Sequence, residues 1–166
     1  MTARRGGAVP AAAVAGDGFV YFAHNIFTAY RQYGQPLYRD LVSDALHRLL
    51  PEPTLTVEGL PTAGRVSLMR QQAENRLVLH LLYATPVKRG AESSIYGSGQ
   101  QAVEVIEDLV PLYGVRCAVR LPTRARARHV TLEPQGEELP FTGDAASVRF
   151  TVPELLCHQM VAVTLD

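Results

Sequence analysis

The sequence predicts a mainly β fold, an antiparallel β-sandwich preceded by a short strand and helix. Past Pro53, brief Val- and Leu-rich stretches alternate apolar with polar residues. Gly, Pro or polar clusters separate these stretches at fairly even spacing, as in sandwiches built from antiparallel strands. Before Pro53 the period is helical instead, so the change of period marks a boundary between two kinds of structure.

Residues 1–15, MTARRGGAVPAAAVA, read as a disordered lead-in. Arg4 and Arg5 followed by small apolar residues imitate a secretory signal, but Ala, Val and Pro stand where a signal carries Leu or Phe. The expected location is therefore the cytoplasm. Residues 16–53 hold a strand, Gly18 to Phe22 within GDGFVYFAHNIFTAY, followed by an amphipathic helix. That helix is read in QPLYRDLVSDALHRLLPEP, where Leu37, Leu41, Val42, Ala45, Leu46, Leu49 and Leu50 recur at helical spacing. Pro36 suits its first turn, and Pro51 and Pro53 stop it. A strand and helix alone bury too little apolar surface to hold together, so this segment reads as a remnant of a larger domain.

Residues 54–166 supply the strands of the sandwich: TLTVEG, GRVSLMRQ, RLVLHLLYA, AVEVIED, GVRCAVRL, ARHVTLEP, SVRFTVP and HQMVAVTLD. In VRCAVRL, alternation places Val115, Cys117, Val119 and Leu121 on one face and Arg116 and Arg120 on the other. Val161, Val163 and Leu165 share a face of the final strand. GAESSIYGSGQQ is the one Gly/Ser-rich interval, expected to be a mobile hairpin loop.

At 166 residues the chain suffices for one domain, or one domain plus part of another. A formal net charge of zero, with 19% charged residues, gives no reason to expect nucleic acid or an anionic membrane as partner. No apolar run approaches the roughly 20 residues of a membrane span. The glycines form neither a dinucleotide turn nor a P-loop, and the histidines lack metal-ligand spacing, so no cofactor and no metal is expected.

Each candidate for chemistry competes with a plainer role. Cys157 and His158 adjoin in LLCHQM, yet neighbours on a strand point to opposite faces and cannot form a nucleophile–base pair. Both cysteines, Cys117 and Cys157, are expected in the core, reduced. His80 in RLVLHLLYA reads as a hydrogen-bonded structural residue. Glu104, Glu107 and Asp108 fall within one strand and its turn, which does not place two carboxylates on opposite sides of a glycosidic bond. Arg124, Arg126 and Arg128 in TRARARH suit a solvated sheet edge. Tyr83, Tyr96 and Tyr113 are candidates for stacking on a sugar, although the chain has no Trp.

Several stretches, taken in order, resemble the carboxyl-terminal end of a group of hypothetical glycosyl hydrolases related to β-galactosidases with a trimerisation domain. They are YGQPLYRDLVSDALHRLLPEP, RLVLHLLYATPVKRG, VEVIEDLVPLYGVRCAVRLP, LEPQGEELPF and FTVPELLCHQMVAV. The resemblance implies a catalytic barrel upstream, then a trimerisation domain, then a C-terminal sandwich. Residues 16–53 would be the last strand and helix of the trimerisation domain, and no residue here would inherit a catalytic role. The expected function is a non-catalytic accessory or assembly domain derived from a glycoside hydrolase. Its expected partners are further copies of itself or an upstream catalytic barrel, with Leu41, Leu46 and Leu49 as the candidate oligomer face. The alternative is a stand-alone carbohydrate-binding sandwich.

Overall fold

The computed structural model describes residues 13–90 and 103–166, and the chain divides into two units, Met1–Pro53 and Thr54–Asp166. The first unit opens with an antiparallel hairpin of β1 (Ala13–Gly16) and β2 (Phe19–Phe22). This corrects the expectation of a single strand after a disordered lead-in reaching residue 15. Gly16 pairs with Phe19, leaving Asp17-Gly18 as a two-residue turn, and Gly18 has φ 75. Asp-Gly is favoured in such turns because the positive φ costs glycine nothing.

Helix α1 (Ile26–Tyr33) ends at Gly34, whose φ of 63 lets its N–H donate to the Tyr30 carbonyl. Helix α2 (Pro36–Leu49) starts on Pro36, where the missing N–H costs no intrahelical bond, and ends with His47 and Arg48 near its carbonyls. Although α1 packs against α2, Ile26 is the one buried hydrophobic residue among those described in this unit. Phe19, Phe27, Tyr33, Leu37 and Leu46 are each more than half exposed.

The second unit is the predicted antiparallel sandwich. Its strands are β3 (Leu55–Glu58), β4 (Arg65–Gln71), β5 (Arg76–Leu82), β6 (Val87–Arg89), β7 (Val103–Val105), β8 (Leu112–Arg120), β9 (Ala127–Glu133), β10 (Glu137–Glu138), β11 (Phe141–Gly143), β12 (Ser147–Leu155) and β13 (His158–Leu165). One sheet has the order β10-β9-β13-β5-β4, the other β11-β12-β8-β3. Between them lies a single core. Leu77, Leu79 and Leu81 of β5, Val161 and Val163 of β13, and Val130 and Leu132 of β9 meet Val115, Cys117 and Val119 of β8 and Val148, Phe150 and Val152 of β12. Each such side chain withdrawn from water contributes roughly 1.5–3 kcal/mol, which is why strict alternation along these strands fixes which face turns inward.

Polar groups inside the sandwich are satisfied. Gln159, the buried polar residue, donates through Nε2 to the carbonyls of Glu133 at 2.9 Å and Met160 at 2.8 Å, and pairs with the Gln135 amide. Asn75 donates from Nδ2 to the Leu165 and Asp166 carbonyls, tying the β4–β5 turn to the end of β13. Strands β6 and β7 form a separate two-stranded ribbon. The interval between them, with Tyr96, lies outside the described residues.

Candidate functional site

The outer face of the four-stranded sheet carries an open groove of about 400 Å³. Its floor follows from strand register. Thr56 of β3 stands opposite Ala118 of β8, Ala118 opposite Arg149 of β12, and Arg149 opposite Thr142 of β11. These four outward residues make one row across the sheet, and two residues along, Glu58, Arg116 and Thr151 make a second. The methyl of Ala118 leaves the centre low while longer side chains rise around it. Exposed Pro140 forms an apolar wall at one edge, beside Phe141, whose side chain packs inward against the core.

The charges in this groove are unevenly committed. Arg116 donates from Nε at 3.0 Å and Nη2 at 2.7 Å to one Glu58 oxygen, Oε2. Nη1 of Arg116 and Oε1 of Glu58 make no hydrogen bond among the described residues. Arg149 is exposed and has no hydrogen bond or salt bridge among them. Its electrostatic neighbour Asp144 accepts from the Ala146 amide at 2.7 Å and the Ser147 amide at 2.9 Å. Those backbone donors hold the Asp144 carboxyl below its usual range, with Arg149 a lesser contributor.

The residues singled out from the sequence do not converge on one place. Tyr83, just past β5, donates or accepts at Thr85 Oγ1, 3.0 Å away, and is partly buried against the core. Tyr113 lies on β8 and is 69% exposed. Neither lines the groove. On α2, Leu41 and Leu46 are exposed and Leu49 is half-buried. Glu107 is held in an exposed ion pair by Arg89, which lowers its carboxyl pKa, while Glu104 stands opposite Lys88 in the β6–β7 ribbon. Arg124 occupies a left-handed turn position with φ 69, so Arg124, Arg126 and Arg128 are not one extended row.

One expectation is corrected, that both cysteines lie in the core. Cys117 is buried, and burial pushes its thiol up to about 12. Cys157 is instead partly exposed, because it sits in the turn between β12 and β13 with φ 63 rather than on an inward strand position. His80 is hydrogen-bonded, and its partner is another histidine, with His80 Nδ1 3.2 Å from His158 Nε2. Their ring centroids are 5.4 Å apart and the planes differ by 14°. That separation is close to the nitrogen–nitrogen distance plus both ring radii, so the rings meet edge to edge in one plane, sharing an N–H···N bond, rather than face to face. Among the described residues no three His, Cys, Asp or Glu side chains gather in a way that could hold a metal ion. No helix among them is long and apolar enough to cross a membrane.

The alpha-L-fucosidase isoenzyme 2 from Paenibacillus thiaminolyticus is similar to this chain in structure and sequence, with a TM-score of 0.82 and 40% identity over 93% of this chain. The chain is related to a segment of a glycoside hydrolase. It spans only 22% of that enzyme's length. No protein-family model matches the chain, and no curated protein does. An identity of 40% over both a helical stretch and a sandwich accounts for the two kinds of structure in one short chain, since both occur within the matched segment of the larger enzyme.

Proposed function

We propose that the chain is a non-catalytic accessory and assembly domain of glycoside hydrolase origin. The observation that carries this reading is the near absence of a core in the first unit, where Ile26 alone among the described hydrophobic residues is buried. Two helices and one hairpin with so little buried surface cannot repay the entropy of ordering themselves, so their exposed faces need protein cover. A fragment of a larger hydrolase fold, the end of a trimerisation-type domain, has such faces by construction. The cover is a second copy of the chain meeting α2 through Leu41 and Leu46, in a two-fold contact, the commonest symmetric arrangement.

The carboxylates support the non-catalytic half of the reading. Glycosidases need two carboxyl groups about 5–10 Å apart on either side of the scissile bond. Here Glu107 is engaged by Arg89, Glu58 by Arg116 and Asp144 by backbone amides, which makes them structural acceptors.

The purified chain is expected to sediment above monomer mass and to leave nitrophenyl α-L-fucoside and β-galactoside unhydrolysed. Leu46→Asp would put a charge into the apolar contact and yield monomers or a melted helix. Turnover exceeding that of a Glu104→Gln, Glu107→Gln variant would overturn the non-catalytic reading. Equally stable monomers for wild type and Leu46→Asp would overturn assembly through α2.

A further inference from the structure

We infer that the groove on the four-stranded sheet binds an acidic saccharide, a pyranose unit carrying a carboxylate, with Arg149 as the carboxylate receptor. Among the groups lining it, Arg149 is the cation left without a hydrogen-bonded anion, and it rises from the middle of the row Thr56, Ala118, Arg149, Thr142. A guanidinium presents a planar fork of donors that matches a carboxylate in two parallel hydrogen bonds. Its structural part there is small: Asp144 is already satisfied by two amides, with Arg149 a lesser electrostatic contributor, and strand pairing on both sides of Arg149 is made by backbone alone.

The saccharide part of the inference rests on what surrounds that fork. Sugar hydroxyls both donate and accept, so they are recognised by side chains that offer both roles in fixed positions. The Glu58–Arg116 pair does so, because their mutual bonds occupy one carboxylate oxygen and leave Oε1 to accept and Nη1 to donate. Thr56, Thr142 and Thr151 add exposed hydroxyls on three different strands. The low floor at Ala118 admits a ring, and Pro140 offers it an apolar edge. A volume of about 400 Å³ lies at the small end of the ligand-pocket range of roughly 300–1,000 Å³. The inference concerns the second unit and stands independently of any assembly through α2.

The test is a titration of the whole chain with a trigalacturonate, with the neutral trigalactoside as counterpart, followed by amide chemical shifts. The acidic trisaccharide is expected to shift the amides of Thr56, Ala118 and Thr151 and to bind at least tenfold more tightly than the neutral one. Arg149→Ala should abolish that preference, while Arg70→Ala, an exposed arginine on the other sheet, should keep it. Ala118→Phe retains every charge and fills the floor, and it should weaken binding at least tenfold. Equal affinity for both trisaccharides, an unaffected Arg149→Ala variant, or shifts produced equally by inorganic phosphate would overturn the inference. The last outcome would identify a simple anion site instead.

Discussion

Leu79→Ala should unsettle the second unit severely, and Leu46→Ala should leave that unit untouched. Leu79 is fully buried on β5, between its register partners Leu68 on β4 and Val161 on β13. Because β5 is paired on both sides, its backbone cannot shift inward to fill the space left by the shortened side chain. Leu-to-Ala replacements in well-packed cores cost about 2–5 kcal/mol, rising with the cavity that remains, and a doubly paired strand belongs in the upper half, at about 3–5 kcal/mol. With about 1–3 kcal/mol per molar urea for a unit of this size, the unfolding midpoint should fall by roughly 1–5 M. Four of the seven tyrosines, Tyr21, Tyr30, Tyr33 and Tyr38, belong to the first unit, so the amide resonances of Val115 and Val163 in urea, rather than tyrosine emission, follow the second unit. Among the described residues the helices lie in the first unit, so ellipticity at 222 nm follows that unit separately. Leu46 is 53% exposed, and its removal should change the second unit's transition by about 0.5 kcal/mol or less. A shift below roughly 0.3 M for Leu79→Ala, or equal shifts of the second unit's transition for both variants, would refute the placement of the core between the two sheets.

Thiol labelling of the native chain should stop at one equivalent. With its thiol near 12, Cys117 has about one molecule in ten thousand as thiolate at pH 8, whereas Cys157 lies in a partly exposed turn. Raising the pH through 9 should make the unfolded chain, but not Cys117 in the folded one, fully reactive, so that alkali draws protons from the unfolded state first and lowers stability. Mass spectrometry after brief alkylation, with and without urea, reads both, and native labelling at Cys117 would contradict its burial. Gly143→Ala should destabilise the β11–β12 hairpin, since an added Cβ would stand 2.5 Å from the Ser147 carbonyl oxygen, a backbone atom with no rotamer to escape into. An expected cost of about 1–3 kcal/mol should appear as a lower urea midpoint, and an unchanged midpoint would show that the hairpin relaxes freely.

How far the sequence foretold this arrangement depended on the range of the interactions involved. The eight longer alternating stretches all occur as strands, because two-residue periodicity reports one buried face directly. Helix α2 runs from Pro36 to Leu49, one residue short of the apolar run. Strand β1 escaped notice although Asp17-Gly18 is a strong hairpin signal, since Ala13 to Ala15 have little strand character of their own. Strands β10 and β11, with two and three residues, are too short for periodicity to register. The groove could not be read at all. Thr56, Ala118, Arg149 and Thr142 lie on four strands, and each looks locally like an ordinary solvent-facing residue until register aligns them. The His80–His158 pair has the same origin, a diagonal between β5 and β13 residues far apart in sequence.

The place of β13 in its sheet also sets an order of events during synthesis. It lies between β9 and β5, and its pairing with β5 joins residues about eighty positions apart, His80 with Met160 for instance. Until β13 leaves the ribosome, β5 has only β4 beside it, and its run of Leu77, Val78, Leu79 and Leu81 presents a sticky open edge. The five-stranded sheet must therefore close late, by a long loop-closing step of the kind that makes β-sandwiches slow to fold. During that wait the nascent sandwich is most vulnerable to pairing with another chain, and a chaperone that shields β5 would protect yield more than one that acts on the finished protein.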